Sequence, residues 1–136
     1  EARQLSEEYS LVKAAEKIHA MGPKYVIIKK GEHGAILFGE GKTFIAPAFP
    51  IDQVIDPTGA GDSFAGGISG VLANTDTINF ETLKMGIIYG SVLASFTVEE
   101  FGVNALLAVT SDSIKDRIEK FRELTRFEWN EKQNKI

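Results

Sequence analysis

The sequence predicts an α/β domain on three observations. A short β-branched run occupies residues 24–31, two apolar stretches fold back on each other at Gly39-Glu40-Gly41, and helical spacing takes over after Asp56-Pro57. With 136 residues, 43% of them hydrophobic and 25% charged, the chain can bury one real core. A single α/β domain over 1–136 is therefore expected.

The first helix is expected from Leu5 to Met21, where Leu5, Tyr9, Val12, Ala15 or Glu16, and His19 fall near helical spacing and Gly22-Pro23 ends the run. "KYVIIKKG" then reads as a strand buried on both faces. Gly31-Glu32-His33-Gly34 turns the chain into "AILFGEGKTFIAPAF", which predicts a β-hairpin. Pro47 and Pro50 favour an edge or loop ahead of "QVID", expected as a last short strand or extended arm. In the helix that follows, Phe64, Ile68, Val71 and Leu72 share one side as far as about Asn74. A second helix is expected from roughly Phe80 to Phe101, with Gly86, Gly90 and Ala94 forming a narrow stripe that admits another backbone. The last helix is expected to begin at Ser111 as N-cap, with Ile114, Ile118, Phe121 and Leu124 or Thr125 on its apolar face. Beyond Arg126 the tail is polar apart from Phe127, Trp129 and Ile136. No internal repeat, low-complexity segment or interdomain linker interrupts the chain.

Composition narrows the function classes. The net charge of −4 lacks the basic footprint that grips nucleic acid, so a small-molecule partner is expected. The absence of cysteine removes disulfides, thiolate chemistry and cysteine-bound metals, and fits a cytoplasmic protein. The longest uncharged run, Met85 to Val98, falls short of the roughly 20 residues of a membrane span and reads as a buried helix, so no membrane partner is expected. The chain opens on Glu1 with no signal segment after it, which suggests a piece of something longer.

The chemistry concentrates between Asp56 and Gly70. Each helix-interior glycine costs about 1 kcal/mol relative to alanine. Gly66, Gly67 and Gly70 therefore need an offsetting gain, and close packing against the stripe at Gly86, Gly90 and Ala94 supplies one. Gly59-Ala60-Gly61 stands instead at the helix start, where the first N–H groups have no helical partner and the dipole is positive. An anion site and a plain turn are both open readings there. Asp62 could merely complement that dipole. Beside an anion nest, however, a carboxylate is a poor phosphate ligand and a sensible proton acceptor from an attacking hydroxyl, which is the division of labour phosphoryl transfer needs.

"DPTGAGDSFAGG", Asp56 to Gly67, resembles the second signature of the ribokinase-like (PfkB) carbohydrate kinases, a family that includes nucleoside kinases. The resemblance implies the C-terminal part of a three-layer α/β/α sandwich with a hairpin at the sheet edge, using ATP and Mg2+. It makes Asp62 the catalytic base and the N–H groups of Gly59, Ala60 and Gly61 the anion hole. Asp56 and Thr58 match positions that support a monovalent cation such as K+ in several members, although Pro57 stands where Thr or Ser is common. A turn-forming role for Asp56 remains beside that one. "IIKKGEHGAILF" is similar to the family's nucleotide-side strand and loop, placing Lys29, Lys30, Gly31, Glu32, His33 and Gly34 along ATP, with a solvated His33 as the plain alternative. "YGSVLASFTVEEFG" matches the late helix and loop and makes Ser91 an adenine neighbour, with Thr97, Glu100 and Gly102 in the loop region. "EARQLS" resembles the residues of an Asn-x-x-Glu element at the Mg-phosphate site, with Glu1 as its Glu; a solvated terminal glutamate is the other reading.

The resemblance covers the C-terminal portion of a family member. The substrate-choosing half, with its lid, has no counterpart in this chain, and a homodimer would form through that half. The parent protein is expected to phosphorylate a hydroxymethyl group of a sugar or nucleoside, and this piece alone to bind nucleotide weakly and phosphorylate nothing. Two alternatives stand. A non-catalytic nucleotide-binding or regulatory domain would tolerate loss of Asp62. A dinucleotide-binding oxidoreductase would need G-x-G-x-x-G and then an acid about 20 residues on at the end of a strand, where this chain is still helical.

Overall fold

The computed structural model describes residues 1–129. Two helices, α1 (Ala2–Ser6) and α2 (Leu11–Ala20), precede strand β1 (Tyr25–Lys29), a 3-10 turn at Gly31–His33, and strands β2 (Ala35–Gly39) and β3 (Lys42–Ala46). Helices α3 (Ala60–Ala73), α4 (Phe80–Thr97), α5 (Asn104–Ala108) and α6 (Ser111–Thr125) complete the order.

The strands form one antiparallel sheet in the order β1-β2-β3, with Val26 opposite Phe38 and Leu37 opposite Phe44. The hairpin turn is closed by Glu40 at φ 52° and Gly41 at φ 69°. Two left-handed residues give the twist that a two-residue hairpin requires. Strand alternation then sorts the apolar side chains into two layers. Val26, Ile28 and Phe38 pack with Ala15 and Ile18 of α2. Ala35, Leu37 and Ala46 face the opposite way and join Phe64, Phe80, Leu83, Ile87, Val92 and Phe121 in the main core. The result is helix, sheet and helix in three layers, with the hairpin strand β3 at one edge.

Helices α3 and α4 approach almost backbone to backbone. A Cβ built on Gly67 would lie 2.6 Å from Gly90 Cα, and one on Gly90 would lie 2.4 Å from the Phe64 carbonyl oxygen. The expected packing role of the α3 glycines therefore falls to Gly67 alone. Gly66 and Gly70 have open space where a Cβ would go and take no part in that contact.

Several boundaries differ from those expected. The first helix is two, because Glu7 turns left-handed at φ 58° and Ser10 caps a fresh start with its Oγ accepting from Lys13 N. Leu5, Tyr9 and Val12 are consequently exposed, and Ala14, Ala15 and Ile18 form the buried face. "QVID" is not a strand: the Ile55 and Asp56 N–H groups both donate to Val98 O, at 2.8 and 3.3 Å, which hangs the segment on the end of α4. Helix α4 stops at Thr97 rather than near Phe101, and the chain turns through Gly102 at φ 62° into the unanticipated α5. The N-cap of α6 is Thr110 rather than Ser111. Thr110 Oγ1 accepts from Ser113 N at 3.1 Å, and Ser113 Oγ accepts from Thr110 N at 3.0 Å. The part of the polar tail beyond Trp129, and with it the end of the expected 1–136 domain, lies outside the described residues.

Candidate active site

The entry to α3 is built by three local choices. Asp56 Oδ1 accepts from Thr58 N at 2.9 Å in an Asx-type turn, Pro57 O accepts from Ala60 N at 3.2 Å, and Gly59 sits at φ 82° as N-cap with no side-chain cap. Ala60, one of the expected anion-hole donors, thus directs its N–H to Pro57. Among the described residues, the N–H groups of Gly59, Gly61 and Asp62 have no protein acceptor. They crowd the positive end of a 14-residue helix.

Helical rotation splits this first turn between two cavities. At about 100° per residue, positions 59, 62 and 63 share one side and positions 60, 61 and 64 the other. Gly59, Asp62 and Ser63 open into a cavity of about 430 Å3, whose wall also includes Thr58, Thr97, Gly102, Val103 and Leu106. Ala60, Gly61 and Phe64 open into a second cavity of about 690 Å3. Asp62 is exposed and lies in the helix's first turn.

Most of the expected nucleotide-side residues meet in the larger cavity: Lys29, Gly31, Glu32, Gly34 and Ser91 all line it. Lys29 leaves the end of β1 so that its Nζ would lie 3.1 Å from a Cβ built on Gly61. Glycine at 61 leaves the ammonium room beside the unpartnered N–H groups. Gly34 keeps its loop against the end of β3, since an added Cβ would fall 2.0 Å from Ala46 O. Lys30 and His33 are exposed and are not in the lining, and His33 Nε2 lies 3.7 Å from Glu32 Oε1. Glu1 is exposed at the start of α1 and lines neither cavity.

On the other side, Thr97 Oγ1 donates to Ser63 Oγ at 2.7 Å, tying the first turn of α3 to the last of α4. Asp56 holds the entry loop to the α4–α5 turn, with Oδ2 accepting from Gly102 N at 3.5 Å. Its carboxyl sits below the usual aspartate range, chiefly because the Thr58 backbone N–H donates to it, with the Thr58 side chain and the Gly102 N–H adding to the effect. No cluster of three His, Cys, Asp or Glu residues that could cage a metal ion occurs among the described residues.

Sequence reasoning missed the apolar walls. Phe49, Pro50, Ile51, Val54, Ser95 and Val98 also line the larger cavity. The proline-flanked apolar run at 47–50 was the available signal for the first of these.

The sequence pattern of the pfkB family carbohydrate kinases matches residues 1–109. The chain belongs to that family. It is 35% identical over 97 residues to a nucleoside kinase of Methanocaldococcus jannaschii, covering 71% of this chain and 30% of that protein. It is 30% identical over 112 residues to the ribokinase of Haemophilus influenzae, covering 82% and 35%. Among solved structures, aminoimidazole riboside kinase from Salmonella enterica, complexed with aminoimidazole riboside and an ATP analog, superposes with a TM-score of 0.73 at 28% identity, covering 86% of this chain and 39% of that one. Fructokinase from Vibrio cholerae, bound to fructose, ADP and potassium ion, gives 0.77 at 21% identity, covering 87% and 38%, and shows the shared ribokinase-like fold. The chain thus spans about a third of the length of the family members it matches.

Proposed function

We propose that the protein carrying this chain transfers the γ-phosphoryl group of ATP to a hydroxymethyl group of a sugar or nucleoside, with residues 1–136 as one α/β domain forming its nucleotide-binding and catalytic half. The observation that carries the reading is the division of one helical turn between two cavities, with Asp62 in one and Gly61 beside Lys29 in the other. Such a turn can hold donor and acceptor on opposite sides of the transferring phosphorus. The nucleoside-kinase and ribokinase relatives support the same acceptor class.

In this mechanism the acceptor hydroxyl meets the Asp62 carboxylate, which takes its proton as the hydroxyl oxygen bonds to the γ-phosphorus. The bond from that phosphorus to the β,γ-bridging oxygen breaks, and ADP leaves. Charge on the transferring oxygens falls against the N–H groups of Gly59, Gly61 and Asp62 and the ammonium of Lys29. A positioned base contributes about 100- to 10,000-fold in rate, and one anion-hole donor about 100- to 1,000-fold.

Gly31, Glu32, Gly34 and Ser91 line the nucleotide's cavity, with Lys30 and His33 at its rim. Mg2+ would accompany the ATP phosphates in this proposal and would neutralise charge developing on them. Glu1 is retained only as a contributor from the other sheet face. Asp56 and Thr58 are assigned to a monovalent cation. The lowered pKa of the Asp56 carboxyl, held chiefly by the Thr58 backbone N–H, supports that assignment. No helix among the described residues is long and apolar enough to cross a membrane, and a cytoplasmic location and a homodimer built outside this chain complete the proposal. The chain by itself binds nucleotide weakly and transfers nothing.

The test is a panel of sugars and nucleosides offered with ATP to the complete protein and to Asp62→Asn. Wild type should turn over at least one acceptor. The variant should lose about 100- to 10,000-fold in kcat while keeping ATP affinity. Turnover retained in the variant removes the base assignment, and a wild type inert on every acceptor points to a non-catalytic nucleotide-binding domain.

A further inference from the structure

Helix α6 begins at Ser111, beyond the stretch matched by the family pattern, yet one of its side chains contacts two residues of the larger cavity's wall. Arg117 donates from Nη1 to Ser95 Oγ at 3.0 Å and to Glu99 Oε2 at 2.9 Å, and from Nη2 to Glu99 Oε1 at 3.2 Å. Its guanidinium lies 3.5 Å from the centroid of the Phe96 ring and 5.3 Å from that of Phe49. Only 17% of the side chain is exposed. Phe49 in turn stacks on Phe121, with centroids 6.1 Å apart and planes at 29°.

Two of these partners, Phe49 and Ser95, face the cavity from opposite elements. Phe49 lies near the start of the segment 47–59, which contains no helix or strand. The far end of that segment is fixed by the Ile55 and Asp56 N–H bonds to Val98 and by the Asp56 turn. Among the described residues its near end has no comparable backbone tie, and the Phe49 ring, held between Arg117 and Phe121, anchors it. A planar, permanently charged fork can stack on two aromatic faces and bind a carboxylate at the same time, which lysine cannot do.

We propose that Arg117 is a positioning residue for the nucleotide's base and ribose, acting through Phe49 and Ser95. This rests on reading the larger cavity as the nucleotide site. The anion nest at the start of α3 is not in this network, so the phosphate end is untouched by it.

Titration of ATP, AMP and inorganic tripolyphosphate into the complete protein tests the proposal. Arg117→Met should weaken ATP and AMP alike by about three- to thirtyfold, the range of a partly desolvated cation–π contact. Tripolyphosphate affinity and kcat at saturating ATP should stay within about twofold, and Arg117→Lys should fall between wild type and Met. Phe49→Leu should reproduce the loss, and adding Arg117→Met to it should cost little more, because both act on one anchor. Unchanged ATP affinity, an equal loss for tripolyphosphate, or two independent, multiplying losses each overturn the proposal. If Arg117→Met does not fold, Arg117→Lys, which keeps the charge and loses the planar fork, decides by the same first two criteria. A wild-type protein that binds no ATP removes the nucleotide reading itself, whereas ATP binding indifferent to these substitutions removes only the role of Arg117.

Discussion

Adjacent glycines on α3 provide a matched pair for testing how the helices are held. In Gly67→Ala the added carbon would lie 2.6 Å from Gly90 Cα, 2.9 Å from Gly90 N and 3.3 Å from Leu93 Cδ1, where ordinary contact begins at 3.4 Å. The two nearest atoms are backbone and cannot rotate away, so α3 and α4 must part by about 0.8 Å. Overpacking of this kind costs about 1–3 kcal/mol, against which alanine returns about 1 kcal/mol of helix propensity. Gly66→Ala collects the propensity gain with nothing within 4 Å of the new carbon. The two variants should therefore differ by about 1–3 kcal/mol, with Gly66→Ala the more stable. For a domain of this length 1 kcal/mol corresponds to about 3–4 °C, so thermal unfolding should separate them by roughly 3–12 °C. Urea unfolding should agree in sign. Equal stability, or a more stable Gly67→Ala, would refute the close approach of the two backbones.

Replacing Lys29 by Met removes the ammonium beside Gly61 and should lower kcat in the complete protein by about tenfold to a hundredfold, with Lys29→Arg recovering part; an unchanged kcat in steady-state assays would place that charge away from the transferring phosphate. Asp56 has a folded-state pKa below its unfolded value, so its contribution to the order of the entry loop is present above the unfolded value and lost as pH falls through the folded one. Its carboxyl resonance should titrate below the ordinary value of about 3.9, protection of the Gly102 amide relative to its intrinsic exchange rate should fall through the same range, and Asp56→Asn should abolish that dependence. Gly34→Ala combines φ 83° with a Cβ 2.0 Å from Ala46 O and should destabilise by about 3 kcal/mol or more; a chemical-denaturation midpoint like wild type would show that the loop can move off β3.

Local chemistry was legible and distant company was not. Glu40-Gly41 announced the hairpin because a tight turn is decided by its own residues, and Pro57, Gly59 and Asp62 announced the start of α3 for the same reason. The break at Glu7 escaped because apolar spacing carried across it, although the signals for a new cap at Ser10 were present. The end of α4 is marked by bonds from Ile55 and Asp56, more than 40 residues earlier, which no window of neighbouring residues contains. Gly66 and Gly67 differ by a single 100° rotation, and only the position of α4 distinguishes them. Candidate residues with a chemical signature, such as Asp62 and Lys29, could be picked out from the sequence, and the fold puts each in the lining of one cavity. The walls supplied by Phe49, Val54 and Ser95 carry no chemical signature until the fold brings them together.

Because residues 59 to 64 divide between two chambers, a substitution at Ser63 or Thr97 alters one lining and leaves the other in place. Under the proposed function, tolerance for a new acceptor can drift on one side of the turn while the grip on phosphate is inherited unchanged on the other. The positions without that freedom are those at the partition itself. Gly59 needs its left-handed backbone, and a side chain at Gly61 would press on the Lys29 ammonium, so two constraints on divergence at the partition fall on residues that have no side chains to vary.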